Sequence, residues 1–412
     1  MNKFYIKCFL LVVSVFLSSK INAQELQSYI NEALENNPEI QQFELKYQRI
    51  SEKQNEVNTL PNTEFGVGFF ASSPETRTGA QIFKVSVKQM IPFFGTITAR
   101  ENYASSLADI SYQDIVIKKR KLIAKVSQSY YKLYEIKAKQ IVLEENIKLL
   151  STYEKSALTS VEVGKASAVD VLKLQIRQNE LEQNKDVLKE QFLGEQAVFN
   201  KLLNREVDNA ISLVGRLQMP NEVLSFNSDD VKFHPELIKF DRLFASVEKS
   251  ELLNQKQSKP MLGFGVDYIN VEKRPNMSFD DNGKDILMPM LSLSIPIFNK
   301  KYTSLSKQNK LQQDEVLSQK QQRFNALEAK LQKAVSNRNV AFINYKTQQK
   351  NLNQAKNAQQ ILIKSYETGT IDFNDVLDIQ ELQLKFQMNM INSKVSFYNQ
   401  SVLINYLITK KE

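Results

Sequence analysis

The sequence is poor in the side chains that most often build metal centres and covalent catalysts. Its 412 residues include one cysteine, one histidine and no tryptophan. Cys8 lies in an N-terminal leader, so a chain without that leader has neither a thiol nor a disulfide. A zinc or copper site of the usual histidine–cysteine type is therefore excluded, and we expect no metal and no cofactor. A Ser-His-Asp or Cys-His catalytic device would have to use His234.

The chain also lacks a strong charge of one sign. It has 54 Lys and Arg against 46 Asp and Glu, and three of the surplus positive charges belong to the leader. No basic block stands out, so we expect no nucleic-acid partner. The Gly-x(4)-Gly-Lys-Ser/Thr loop that binds nucleotide phosphates is missing as well.

Residues 1–23 have the organisation of an export signal. Lys3 and Lys7 precede a short apolar run, and Ala23 offers a cleavage point before Gln24. The alternative is a membrane anchor, but the run is too short to cross about 30 Å of hydrocarbon. Cys8 lacks the small apolar residues that precede a lipoprotein cysteine, so we expect no lipid anchor. No other stretch reaches 18 apolar residues.

Proline is distributed unevenly, and the gaps predict long helices. None of the ten prolines lies between Pro92 and Pro220, and none follows Pro296. Within the first gap, apolar residues recur with a mean step near 3.5, which is typical of a coiled coil. They are Leu122, Val126, Tyr130, Leu133, Ile136, Leu143, Ile147 and Leu150. One helix over residues 96–160 would be about 95 Å long, too long for an ordinary globular core.

The zones that contain proline and glycine show the alternation of β-strands. In the first zone Phe65, Val67, Phe69, Phe83, Val85 and Val87 alternate with polar residues or glycine. The second zone has the same pattern at Leu262, Phe264, Val266, Tyr268, Leu291, Leu293 and Ile295. A period of two predicts strands, and the intervening turns predict one hairpin in each zone.

The two halves of the chain repeat each other. Asn37-Pro38-Glu39-Ile40 matches His234-Pro235-Glu236-Leu237, and Ile91-Pro92-Phe93-Phe94 matches Ile295-Pro296-Ile297-Phe298. Gly164 with Asp170-Val171-Leu172 matches Gly369 with Asp375-Val376-Leu377. Matches in one order and at nearly one offset indicate a duplication. We therefore predict repeats over residues 24–217 and 218–412, each built as helix, hairpin, long helix, glycine turn and helix.

The chain resembles the TolC family of outer-membrane efflux ducts in these repeats, in the Ile-Pro-x-Phe step and in the Gly-x(5)-Asp-Val-Leu turn. The resemblance implies a mainly α protein with a β-barrel part. Four strands per chain would complete a 12-stranded trimeric barrel, and long coiled-coil helices would form a periplasmic tube. The strand pattern alone allows 8, 12 or 16 strands. A soluble β-sandwich with a coiled-coil stalk is the alternative.

The resemblance implies adaptor-docking tips at the two glycine turns, at Gly164, Lys165, Gly369 and Thr370. The glycines would equally serve as plain helix terminators. It also implies a pore gate with a hydrogen bond between Tyr366 and Asp170, worth about 0.5–3 kcal/mol. A second, arginine–threonine link of the family is missing, because Ile371 and Val169 occupy its positions. The alternative role for Asp170 is to cap the helix that follows it.

Asp375 and Asp378 match paired carboxylates that ring the pore in the family. Because they are three residues apart, they lie on one helix face. Two charges ~6 Å apart repel by ~3 kcal/mol at an effective dielectric constant of ~20, so a ring of them should attract cations. In the first repeat Lys173 replaces the second acid. The alternative is a helix cap with a solvated face.

The interpretation we favour is a passive exit duct in outer-membrane lipid. It would act as a homotrimer with a periplasmic adaptor protein and an inner-membrane pump of the resistance-nodulation-division or a similar class. A structural coiled-coil protein of the envelope is the second candidate. An exported hydrolase is the third, but no positioned acid–base cluster is visible. Met288 and Met290 could attract soft metals, although packing explains them as well. His234 matches Asn37 at a helix start and is interpreted as structural.

Overall fold

The structure is a computed structural model that describes residues 25–164, 167–223, 226, 228–368, 370–371 and 373–408. The predicted export signal lies outside these residues.

Helices account for most of the described chain. They are α1 (residues 25–36), α2 (Pro38–Val57), α3 (Thr96–Glu162), α4 (Ala168–Leu202), α5 (Pro235–Gln257), α6 (Lys301–Glu367) and α7 (Phe373–Leu407), with a 3-10 turn at Ser228–Val231. The two proline-free gaps hold the pairs α3–α4 and α6–α7, as predicted. Both α3 and α6 have 67 residues, and both α4 and α7 have 35. Among the described residues, no helix combines the length and apolarity that crossing a membrane requires.

The strands form one antiparallel sheet. They are β1 (Glu64–Phe69), β2 (Glu75–Thr76), β3 (Gly79–Ile91), β4 (Met261–Glu272) and β5 (Ile286–Ser294). The order is β1-β3-β4-β5, and the short β2 pairs with β3. The two predicted hairpins are therefore confirmed, and the β3–β4 pairing joins them. The predicted end of one strand was wrong. Ile295 follows β5, and its carbonyl accepts a hydrogen bond from the Ile297 N–H.

The chain divides into two compact units. The helical unit comprises Met1–Gln42, Val116–His234 and Phe324–Glu412, and the sheet unit comprises Phe43–Ile115 and Pro235–Arg323. Each unit draws segments from both predicted repeats, because the long helices run through the unit boundaries. The repeat boundary after residue 217 stays a prediction from the sequence.

One hydrophobic core of the helical unit surrounds three aromatic rings. The Tyr29, Tyr130 and Phe199 rings lie 5.1–6.3 Å apart between centroids. Tyr130 is 1% exposed, and its hydroxyl oxygen accepts the Val214 N–H at 2.9 Å. Burial raises the pKa of Tyr130 to about 12. Apart from Ile136, the predicted coiled-coil positions of α3 lie in or against this core and a second core described below. Ile136 is itself only 2% exposed, so the 3.5-residue period is confirmed.

Candidate functional site

The outer face of the sheet is apolar and exposed. Cross-strand register aligns Phe65 with Val87 and Val266, and Val67 with Val85 and Tyr268. Further large apolar side chains on this face include Phe69 (78% exposed), Leu262 (53%), Phe264 (47%), Leu287 (70%), Leu291 (81%) and Leu293 (57%). From Leu262 to Asn270 the strand rises about 27 Å at 3.4 Å per residue. That length fits the apolar band, about 25 Å tall, of an outer-membrane barrel.

The opposite, inner face of the sheet is small and polar. Gly66 pairs with Ser86, and Ser86 pairs with Asp267 on β4. Asp267 has no exposed surface and forms an ion pair with Lys84 on the neighbouring strand. A Cβ on Gly263 would lie 2.2 Å from the Ser292 hydroxyl oxygen, so the neighbouring side chain closes over that glycine. One face is thus suited to hydrocarbon and the other to water.

Two methionines share the inner face, as their spacing predicts. Met288 pairs with Asp267 and Met290 with Gly265. Within the described part of the chain, no group of three or more His, Cys, Asp or Glu side chains could hold a metal ion.

Polar contacts join the hairpin ends of the two repeats. The Arg274 guanidinium lies 2.6 Å from the Glu75 carboxylate, and Arg77 lies 3.1 Å from Asp281. The Gly283 N–H donates to the Thr78 carbonyl at 2.7 Å. The apolar face therefore gives way to charged residues at this end of the sheet.

The first glycine turn closes between α3 and α4. Gly164 has a φ of +70°, a left-handed conformation that glycine adopts without strain. Ser167 is the N-cap of α4, and its hydroxyl oxygen accepts the Val169 N–H at 3.2 Å. The alternative role of Asp170 as helix cap is therefore wrong. Asp170 lies in the first turn of α4, where its negative charge complements the helix dipole. Lys165 lies outside the described residues.

The second turn is closed by a threonine. The Thr370 hydroxyl donates to the Ser365 carbonyl at 2.8 Å, and its N–H donates to the same oxygen at 3.0 Å. These bonds satisfy a carbonyl that the end of α6 leaves free. Gly369 lies outside the described residues.

A second hydrophobic core, here the tip cluster, joins the two turns. Its buried members are Leu143, Leu150, Ala157, Val171, Leu174, Leu181, Phe373, Val376 and Leu384. The Tyr366 ring packs on Phe373 with centroids 4.9 Å apart, and Tyr153 meets Phe373 edge-on at 6.2 Å. Burial raises the pKa of Tyr153. The ends of both repeats therefore share one core.

Two of the predicted gate residues do not bond within one chain. The Tyr366 hydroxyl is buried and has no hydrogen-bond partner among the described residues, so Asp170 of the same chain does not accept from it. Ile371 packs against the tip cluster, which agrees with apolar contact in place of the missing link. An unsatisfied buried hydroxyl costs about 1–3 kcal/mol. A hydrogen-bond acceptor from a neighbouring copy would remove that cost.

Asp375 and Asp378 both lie on α7 with exposed side chains. Asp378 lines a groove of about 330 Å³ whose other wall, on α4, carries Lys173 and Arg177. Arg177 forms ion pairs with Glu180 at 2.7 Å and with Glu381 of α7 at 3.2 Å. Asp378 therefore faces basic side chains of the same chain.

Sequence reasoning missed Arg177 and Glu381. The spacing of Arg177 and Glu180 signals an ordinary i,i+3 pair on one helix. Nothing in the sequence placed Glu381 beside them, because that contact requires the packing of α4 against α7.

The two matched helix starts are structural. The Asn37 side-chain oxygen accepts the Glu39 N–H at 2.9 Å, and its amide nitrogen donates to the Leu202 carbonyl at 2.9 Å. His234 is 1% exposed, and its ring meets Tyr406 edge-on with centroids 5.2 Å apart. Both residues precede the proline that begins a helix, a position proline favours.

Comparison with known proteins agrees with this arrangement. A protein family described as "Outer membrane efflux protein" matches residues 29–205. No curated protein matches the chain. CusC, described as forming a transmembrane channel, superimposes with a TM-score of 0.76 over 94% of this chain and 92% of its own, at 14% identity. The outer membrane protein VceC from Vibrio cholerae has a TM-score of 0.72 over 93% and 96% of the two chains, at 13% identity. The Neisseria gonorrhoeae MtrE outer membrane channel in its open state has a TM-score of 0.71 over 93% and 88%, at 14% identity.

The exposed apolar sheet face, the long paired helices and the family match lead to one assignment. The predicted fold class is confirmed, since proteins of this fold cover nearly the whole chain. Residues 29–205 match the outer membrane efflux protein family, and the chain has the fold of these outer-membrane channels.

Proposed function

We propose that this chain forms the outer-membrane channel of a tripartite efflux or secretion system. It would be a passive exit duct, opened at the tip by an adaptor protein and an inner-membrane pump. The observation that carries the proposal is the sheet with one exposed apolar face and one small, polar face. A water-soluble sandwich would cover such a face, whereas a channel wall needs both faces as they are.

The open edges of the sheet support a homotrimer. β1 and β5 lie at the ends of the strand order, so each has one edge without a partner strand among the described residues. In hydrocarbon each unpaired backbone group costs several kcal/mol. Neighbouring copies would pair these edges, and three copies of four long strands give a barrel of about twelve strands. Such a barrel is wide enough to hold a water-filled lumen.

The tips supply the contacts for partners. Gly164, Lys165, Gly369 and Thr370 would dock the periplasmic adaptor, because residues next to both turns pack in or against the tip cluster. Tyr366 and Asp170 would form the closed gate across neighbouring copies. Asp375 and Asp378 would ring the constriction. The groove with Lys173 and Arg177 supports a ring whose negative charge is partly compensated.

Planar bilayers test the duct and the ring together. The purified trimer should conduct and should prefer cations, and Asp375→Asn with Asp378→Asn should lower that preference. The matched control is Glu206→Gln with Asp208→Asn, which removes two exposed charges from a loop after α4. A monomer without conductance would contradict the duct. Anion selectivity that survives the Asp375 and Asp378 changes would contradict only the ring.

The gate has its own test. Tyr366→Phe removes the hydroxyl and keeps the ring on Phe373, so the tip cluster stays packed. We expect a higher open probability or conductance. An unchanged single-channel record counts against the hydrogen-bonded gate.

A further inference from the structure

The helix-side end of the sheet differs from the hairpin end. Four short segments connect helices to strands there, at residues 58–63, 92–95, 258–260 and 295–300. They contain no Asp or Glu, and two of them contain a lysine. At the hairpin end, by contrast, acidic and basic side chains pair with one another.

Two phenylalanines project from these segments. Phe94 is 91% exposed and Phe298 is 99% exposed, in matching positions of the two repeats. Phe94 follows β3 by three residues and Phe298 follows β5 by four. Each therefore lies just past the end of the apolar outer face. Exposed aromatic rings at this level are typical of membrane–water interfaces.

Four lysines lie in the segments or next to them. They are Lys256, Lys259, Lys300 and Lys301. The Lys256 ammonium lies 5.7 Å from the centroid of the Phe93 ring, and 3.5 Å from where a Cβ of Gly95 would lie. Lys301 lies 6.0 Å from the Tyr302 ring. Lys256 therefore sits at the turn that presents Phe94.

None of these four lysines forms an ion pair within the described residues. Elsewhere in the sheet unit, ion pairs occupy Lys84, Lys239 and Lys320. Cations beside an exposed apolar surface, with no acid near them in sequence, complement an anionic surface. Phosphate groups supply that charge at the level where a hydrocarbon band ends.

We propose that Lys256, Lys259, Lys300 and Lys301, with Phe94 and Phe298, form a lipid belt that binds anionic phospholipid headgroups. The proposal rests on the insertion of the sheet into a membrane. The phenylalanine rings lie in the boundary layer, and the lysines reach the phosphates from the helix side. The belt fixes how deeply the sheet inserts, because neither lysines nor rings can move along the bilayer normal without losing contacts.

Lipid selection in vesicles tests the belt. The full chain is reconstituted into phosphatidylcholine vesicles with about one third phosphatidylglycerol, and lipids retained by the repurified protein are counted by mass spectrometry. We expect enrichment of phosphatidylglycerol on the order of thirtyfold at low salt, as two fully engaged lysines would give. At ~1 M salt the Debye length is ~3 Å, so most of the enrichment should disappear.

The variants separate charge from folding. Changing all four belt lysines to Gln should abolish the enrichment, and changing all four to Arg should retain it. The matched control changes Lys148, Lys189, Lys333 and Lys350 to Gln, which removes the same charge from exposed positions on the helices. Equal loss in that control would overturn the belt, as would a wild type without enrichment. If the Gln variant does not fold, the salt series on the wild type and the Arg variant decide.

Two further outcomes have fixed meanings. Loss of the enrichment when inorganic phosphate is added at constant ionic strength would overturn the lipid assignment and indicate a general anion site. Failure of the wild type to enter any vesicle, measured by flotation, would contradict the proposed channel. If the protein enters vesicles but shows no enrichment of phosphatidylglycerol, the lipid belt is contradicted and the proposed channel is not.

Discussion

The sheet unit exposes large apolar side chains on its surface, whereas the helical unit buries large apolar side chains in its cores. In the sheet, Leu291 is 81% exposed and Phe65 is 76% exposed, while Asp267 is fully buried. In the helical unit, Leu174 and Phe199 have no exposed surface. The same hydrophobic effect acts in both regions, so the difference reports the solvent that each region was selected to meet.

The comparison has a practical consequence. An exposed apolar side chain on a helix and one on the outer sheet face look alike by exposure alone. Only the alternation of the whole face, with glycine and charge behind it, supports the proposal that the sheet face contacts lipid. The following substitutions separate these cases.

Leu291→Lys should have the largest effect. A lysine near the middle of a lipid-facing strand costs about 2–4 kcal/mol, and the proposed trimer would carry three copies. We expect little folded trimer in vesicles, measured by flotation and by gel migration without heating. Leu45→Lys is the control, because Leu45 is 65% exposed on α2. Equal loss in both variants would contradict the lipid-facing assignment.

Leu174→Ala should have the second largest effect. Leu174 is fully buried in the tip cluster, and a Leu→Ala change at such a site costs about 2–5 kcal/mol. Denaturant unfolding followed by circular dichroism measures the loss. Leu172, two residues earlier, is 57% exposed, so Leu172→Ala should change stability by less than about 0.5 kcal/mol. A similar loss in both variants would argue against a packed tip.

Replacing a glycine by alanine should change the stability in opposite directions in the two regions. Gly79 has a φ of +136°, and a Cβ there would lie 1.9 Å from the Glu272 carbonyl oxygen. Gly79→Ala should therefore destabilise the sheet by about 1–3 kcal/mol. Gly194 lies within α4 with open space around it, so Gly194→Ala should stabilise by about 0.5–1 kcal/mol. Thermal unfolding in detergent checks both, and a shared sign would refute the reasoning.

Alkaline pH should weaken the helical unit. Burial raises the pKa of Tyr130 to about 12 from its usual value of 10. This contribution is fully present below pH 10 and is lost as the pH rises through about 12, because the unfolded state ionises first. The loss is about 3 kcal/mol. Tyr130→Phe should weaken the dependence of the unfolding free energy on pH in this range. An unchanged slope of unfolding free energy against pH would contradict the contribution assigned to Tyr130.

The periodicities of the sequence were sufficient for the elements and for the faces of the strands. Proline gaps located α3, α4, α6 and α7, since an internal proline breaks a helix. Alternation placed Phe65 and Leu291 on one face, because the strand period is two. Both inferences use rules that act within a few residues.

What the sequence could not supply depends on contacts between distant segments. The groove between Lys173 and Asp378 exists only because α4 packs against α7. Asp170 seemed a plausible helix cap, but Ser167 takes that place, since helix starts shift easily by a few residues. The pairing of β3 with β4 was also out of reach, because no turn links these strands.

The equal lengths of the helices have a consequence for how such a chain can change. Both long helices have 67 residues and both short ones 35, so the two predicted repeats carry helices of matched length. Deleting a single residue from one helix would rotate everything beyond it by about 100° and leave its turn about 1.5 Å out of level. A related chain with a longer or shorter helical part would therefore need matched, heptad-sized insertions or deletions in all four helices. The length of the helical part should therefore change slowly in evolution.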